Sequence, residues 1–309
     1  MSILALLFNP LMKITLTIIF GYFLKRKGFI DANLQKGLNR LVSQAFSIAM
    51  VLSLSNQEFS SELSVGLTQT LFIAIGFFAV SIALTRLAGR GLALDDAHKR
   101  VFYTASVLSN CVYFGLVLAL ELYGQQGLMY MTIYNIPYRV ALYIYGVGTL
   151  GGGRKSAREI LLQPQVLGAA TFVTILVSPY KLPEFLQGTL ASIGACMTPL
   201  AMILIGCSLA GIDLKEIFTD RYAWLVSAIR LLIAPLATLA VMYVLPVDRV
   251  VASICVLAAA MPVGVSLYPF AELNNCAPQY VSRCVTQSTL LMLFTLPLIL
   301  TLSMYVLRT

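Results

Sequence analysis

Four residues set in long apolar runs carry most of the chemistry open to this chain: Asn110, Asn135, Arg139 and Arg230. An asparagine amide donates hydrogen bonds to a carboxylate, and a guanidinium meets one with two parallel N–H···O bonds. Lys13 is a third cation inside an apolar run. A charge at the centre of a membrane helix costs roughly 2.5–3.5 kcal/mol on insertion scales, so each must face protein or a water-filled cavity. No Asp or Glu falls in the middle of any apolar run. The cations therefore lack an evident fixed partner, and a small organic anion is one candidate for it. The other reading stays open: long cationic side chains also bond helix-end carbonyls or reach an interface, and asparagines bond between helices. The missing acids bear on coupling too, because a proton carrier usually holds a titratable group in its path. His98, the single histidine, sits in a polar loop, which leaves Glu121 and Glu272 near the ends of runs. Sodium held by the carbonyls of a broken helix is the alternative. The coupling ion, proton or sodium, is left open, and no cofactor or metal is expected.

The rest of the chain reads as built around two interrupted segments. Arg249 to Asn275 reads RVVASICVLAAAMPVGVSLYPFAELNN, long enough to cross a bilayer yet broken by Pro262, Gly264 and Pro269. Proline removes a helix amide and clashes with the preceding turn, so the helix should break near its middle. Arg100 to Gly124 reads RVFYTASVLSNCVYFGLVLALELYG. Both begin Arg-Val and carry Val-Leu at the same later offset, then a glycine (Gly115, Gly264), then Glu-Leu, about 150 residues apart. Interrupted segments at matching places in two halves point to the central site of a secondary transporter. Asn110 precedes the expected break in one; Pro262, Gly264 and Ser266 mark the other. Gly206, Gly211 and Gly264 read as places where helices approach closely. Ser53, Ser55 and Gln287 are further polar groups that line a site or bond neighbours.

Composition fixes the class around them. Of 309 residues 59% are hydrophobic and 11% charged, against about 25% charged in soluble domains, so an all-α membrane protein is expected. Ten spans emerge near 3–24, 35–55, 65–86, 101–121, 127–150, 160–178, 187–210, 222–245, 250–271 and 284–306. The odd-numbered connections hold fifteen Lys and Arg, the even ones only Lys181 and Arg249. That asymmetry places the odd loops in the cytoplasm and both termini outside a cell (inner) membrane. It also explains the net charge of +8 without a nucleic-acid partner. The glycines and basic residues of Gly151 to Arg158, including Arg154 and Lys155, read as a cytoplasmic hinge. It gives a first repeat over 1–150, a linker over 151–159 and a second repeat over 160–309. Five spans per half invert the second half relative to the first. The apolar N-terminus reads as the first span, not a removable signal. The six cysteines, with no CxxC, read as small buried hydrophobes. No protease-type constellation lies within the spans, which sets aside an intramembrane enzyme.

The segments GYFLKRKGFID (Gly21 to Asp31), SNCVYFGLVLALELYG (Ser109 to Gly124), TPLAMILIGCSLAG (Thr198 to Gly211) and AAAMPVGVSLYPFAE (Ala258 to Glu272), with the Asn135 to Gly146 stretch, resemble the auxin efflux carrier family. The short central loop is similar to that of its bacterial members, within the bile acid/auxin/arsenite transporter superfamily. The resemblance implies ten helices in two inverted five-helix repeats. Helices one, two, six and seven would form a scaffold and the others a mobile transport domain, with broken helices four and nine crossing at the substrate site. It implies elevator-type transport of a small organic anion (auxin-like, malate or malonate), and often a homodimer. Val117 stands where that pattern has the crossover proline, and Ser266 where many relatives have asparagine. A sodium-coupled bile acid-type symporter, or a sensor derived from a transporter, are the alternatives.

Overall fold

The computed structural model describes residues 3–153, 156–210 and 217–307. Arg154, Lys155 and Gly211, invoked above for hinge or packing, lie outside the described residues. Among the described residues the regular structure is helical, apart from one isolated antiparallel bridge between Ser109 and Val263. Each of the ten apolar stretches contains helix. Four helical runs are long and apolar enough to cross a bilayer by themselves: Ser61–Gly89, Glu184–Leu209, Arg221–Val244 and Pro278–Leu307. The chain is a multi-pass membrane protein.

Aspartates start four of the helices. The side chain of Asp31 accepts from Leu34 N–H and that of Asp95 from His98 N–H. Asp220 accepts from Tyr222 and Ala223 N–H, and Asp248 from Val250 and Val251 N–H. Each satisfies amides that the first turn of a helix leaves unpaired. Pro164 opens the Pro164–Val177 helix, where its missing amide costs nothing, whereas Pro10 falls inside Ile3–Arg26. The run Leu116–Val140 turns at Gly124, whose φ of 62° and ψ of −153° suit a residue without Cβ.

The chain forms two compact units, each drawing on both sequence halves. The first comprises Met1–Thr68, Val112–Ile133 and Leu161–Gly211. Here the Ile3–Arg26 and Met197–Leu209 helices meet backbone to backbone. A Cβ on Gly21 would strike Ile203, and one on Gly206 would strike the Ile18 carbonyl. Small residues permit such contact where lipid offers no hydrophobic drive. The Cys207 thiol donates to the Gly21 carbonyl across this crossing (3.4 Å). Lys13 corrects one expectation: an acid, Glu121, lies 4.0 Å from it, and its side chain is 73% exposed. Ser53 and Ser55 bond carbonyls of their own turn, Met50 and Leu52. Cys196, between Glu184–Ala195 and Met197–Leu209, is exposed, unlike the other five cysteines.

The second unit comprises Gln69–Cys111, Tyr134–Ile160 and Ile212–Thr309. It contains both interruptions. One helix, Asp96–Ala105, ends at Ser106, and the chain resumes as a π-helical turn at Cys111–Gly115. The other, Arg249–Ala259, ends at Ala260 and resumes at Leu267–Leu273. The two exits, 106 and 260, are 154 residues apart. The sequence pairing of Gly115 with Gly264 is thus five residues out of step with the geometry. Val117 lies within helix, so the first break precedes the position where a proline was sought.

Candidate functional site

The second interruption follows from Pro262. In a continued helix residue 262 would donate to the carbonyl of Ala258, but proline has no N–H to give. The Ala258 carbonyl instead receives Met261 N–H at 3.4 Å and the Cys111 thiol at 3.7 Å. Val263 N–H, which would have gone to Ala259, donates to Ser288 Oγ at 3.0 Å. Ser288 in turn donates to the Cys284 carbonyl within its own helix. Every backbone group released by the break must find such a partner, because lipid and protein interior offer no water.

The first interruption supplies others. Asn110 N–H donates to Pro262 O at 2.8 Å, and Gly264 N–H donates to Leu108 O at 3.0 Å. These bonds make the short antiparallel bridge of Ser109 with Val263. The approach is close: a Cβ on Gly264 would sit 3.1 Å from Ser109 O, 3.2 Å from the Tyr138 hydroxyl and 3.3 Å from Leu108 O. Gly264 therefore serves contact between two backbones, and both interruptions are held in one small region.

Arg230 joins them from a third helix. It lies in the π-helical turn Ile229–Ile233 and is 0% exposed. Its Nε donates to Met261 O (3.3 Å) and its Nη1 to Val107 O (3.3 Å). Its Nη2 donates to Ala259 O (3.1 Å) and to Met261 O (3.0 Å). Of the two roles open to Arg230 in the sequence, the geometry displays the bonding of helix-end carbonyls. The C-terminal end of a helix is its negative pole, so a cation there is electrostatically matched as well as hydrogen-bonded.

The remaining candidates line the same unit. Asn110 is buried beside the bridge. The Asn135 amide donates to the Cys111 carbonyl at 3.5 Å, next to Asn110 in the chain. Arg139 stands one turn beyond Asn135 on the same helix face. It is 7% exposed, its guanidinium lies 6.0 Å from the Tyr138 ring centre, and its Nε has no hydrogen-bond partner. The Tyr138 hydroxyl reaches Ser266 and Gly264, and its ring rests against Phe78, which also meets Tyr134. Ser266 sits where Leu267–Leu273 begins, without capping it by its side chain. All seven sequence candidates thus belong to this unit. Arg139 and Arg230 are the only charged residues among the buried ones, so among the described residues the buried charge is wholly positive.

Sequence reasoning passed over Ser288 and Cys111 as members of this region. Ser288 had one faint signal, a pair of polar residues (Gln287-Ser288) inside an apolar run. Gln287 itself bonds neighbours, accepting from Ser227 Oγ at 3.0 Å and donating to Ile217 O at 3.2 Å. Glu272 accepts from the Tyr268 hydroxyl at 3.2 Å, one turn away.

Apolar helices interrupted mid-course around buried polar groups are an arrangement characteristic of membrane transporters. A family profile described as membrane transport protein matches residues 6–155 and 149–300. The chain belongs to that family, the auxin efflux carrier family of transporters. It is 27% identical to an uncharacterized transporter of Methanothermobacter thermautotrophicus, over 94% of this chain and 96% of that one. It is 22% identical to an uncharacterized transporter of Methanocaldococcus jannaschii, over 81% and 83% of the two chains.

Proposed function

We propose that this transporter is a secondary carrier of a small organic anion, a mono- or dicarboxylate, working by elevator-type alternating access in the cell membrane. The observation that carries the reading is the wholly positive buried charge of the unit that holds both interruptions. Arg230 is engaged with carbonyls, whereas Arg139 keeps a buried Nε free to donate. A carboxylate is the natural complement of such a group, since guanidinium binds it through two N–H donors at once. Asn110 and Asn135 add amide donors, and Ser266 a hydroxyl. Sharing of both sequence halves by each compact unit supports a fixed scaffold and a moving part that carries the site. The 154-residue spacing of the breaks and the aspartate caps that begin both interrupted segments (Asp95, Asp248) support an inverted pair of five-helix repeats. With the basic odd loops in the cytoplasm, both termini lie outside.

The test is uptake of labelled malonate, malate and indole-3-acetate into proteoliposomes, with thermal stability measured on the same preparations. Asn110→Ala and Arg139→Ala are expected to abolish uptake while the protein stays folded. Normal uptake by both variants would overturn the site, and no uptake of any carboxylate by the wild type would overturn the substrate class.

A further inference from the structure

Three carbonyl oxygens, those of Val107, Ala259 and Met261, converge in the interior of the second unit from the ends of the two interrupted helices. They belong to the negative poles of Asp96–Ala105 and Arg249–Ala259. Two such poles aimed at one place repel each other and attract a cation. In transporters built on broken helices, unwound carbonyls and half-helix C-termini are where a coupling sodium is held. Here the place is filled by a side chain: the guanidinium of Arg230 donates four hydrogen bonds to these three oxygens.

Other features fit a counter-charge and not an ordinary ion pair. Among the described residues Arg230 has no carboxylate partner, and no Asp or Glu is buried. Its positive charge is therefore answered by peptide dipoles alone. Arginine stays protonated in proteins, so the charge is permanent, unlike that of a bound ion in equilibrium with solvent. Both interruptions also share it: Val107 belongs to one and Ala259 and Met261 to the other, so a single cation clamps the pair.

We propose that Arg230 is a built-in counter-cation of the paired interruption. It occupies the position in which a sodium ion would otherwise neutralise the helix ends, so that neither the stability of the protein nor its transport depends on sodium. The proposal rests on reading the paired interruption as the transport site, but its decisive test needs no substrate.

Thermal unfolding of the detergent-purified protein is measured in sodium chloride and in choline chloride at equal ionic strength. The wild type is expected to unfold at the same temperature in both. A ligand that binds the folded state raises the unfolding temperature by mass action, so a rise of at least about 2 °C specific to sodium would overturn the proposal. Arg230→Ala supplies the second arm: its unfolding temperature should fall and should be partly restored by millimolar guanidinium or by sodium, but not by choline. A folded Arg230→Ala protein indifferent to both ions would overturn the proposal, because a merely structural side chain leaves no cation site behind. Arg230→Lys, which keeps the charge but loses the fork of donors, should lie between the two and stay indifferent to sodium. Where the alanine variant does not fold, the wild-type comparison and the lysine variant decide. Failure of the anion reading would show as absent uptake with these unfolding results unchanged.

Discussion

At Pro262 the helix stops because residue 262 has no amide to offer the turn behind it. Between Ser106 and Asn110 no residue forbids a helix, yet the chain leaves it there as well. The first of these breaks is chemical and local; the second is imposed. Val107 O is drawn to Arg230, Leu108 O to Gly264 N–H, and Asn110 N–H to Pro262 O. Each of those partners lies more than 120 positions away in the chain. The comparison teaches that one encoded break suffices to produce two. Once Pro262 has freed its neighbouring groups, they are best satisfied by a second segment that gives up helical bonds in return.

The largest effect on this pair is expected from Arg230→Ala. It strips three buried carbonyls of their donor at once, at a cost of about 3–5 kcal/mol, as for breaking a buried charged network. Both interruptions should loosen together, seen as faster hydrogen exchange over 106–110 and 259–264; loosening of one alone would show that the two are separately held. Gly264→Ala comes next. Its added methyl meets Ser109 O and Leu108 O at 3.1 and 3.3 Å, so the bridge must widen, at about 1–3 kcal/mol and with loss of uptake. Ser288→Ala touches only the encoded break. It leaves Val263 N–H without its hydroxyl partner, and about 1–2 kcal/mol of stability should go, with the 106–110 segment unaffected. Pro262→Ala asks whether the break needs its proline. Restoring the amide should leave stability within about 1 kcal/mol of the wild type, since alanine favours helix, but should impair uptake by letting the helix advance. Unimpaired uptake would mean that tertiary bonds alone hold both breaks.

The smallest effect is at the outer ends of the same two segments. Asp95 and Asp248 are matching N-caps, and removing the second by Asp248→Ala should cost about 1 kcal/mol. The hydrogen bond from His98 N–H, and then the His98 side chain beside it, hold the Asp95 carboxyl below the usual aspartate range. A depressed carboxyl contributes stability above its unfolded pKa and loses it as pH falls through the lower folded value. The wild type should therefore be the more stable at neutral pH and lose that advantage over Asp95→Asn only as pH falls below the ordinary aspartate range, as an acid titration of both would show.

Much of the molecule was legible because membrane physics leaves strong marks on sequence. Apolar run length located helices, and Pro262 with Gly264 located one break. Asn110, Asn135 and Arg139 were legible as candidates too, as polar groups with no use in lipid. The repeat register was not. Val-Leu, Gly and Glu-Leu pairs suggested a spacing of about 150, whereas the helices end 154 residues apart, because hydrophobic residues interchange freely and mark geometry poorly. Lys13 was thought to lack a partner, yet Glu121 lies beside it, an acid at the end of a run 108 positions on.

By itself the sequence determined the helical membrane class, the places where helices begin, and the break at Pro262. These follow from local rules: burial of apolar length, capping of free amides and the absent proline N–H. Only the tertiary structure decided the break at Ser106–Asn110 and the role of Arg230. A backbone carbonyl looks the same at every position in a sequence, and which three of them a buried guanidinium meets is fixed only when distant helix ends are brought together.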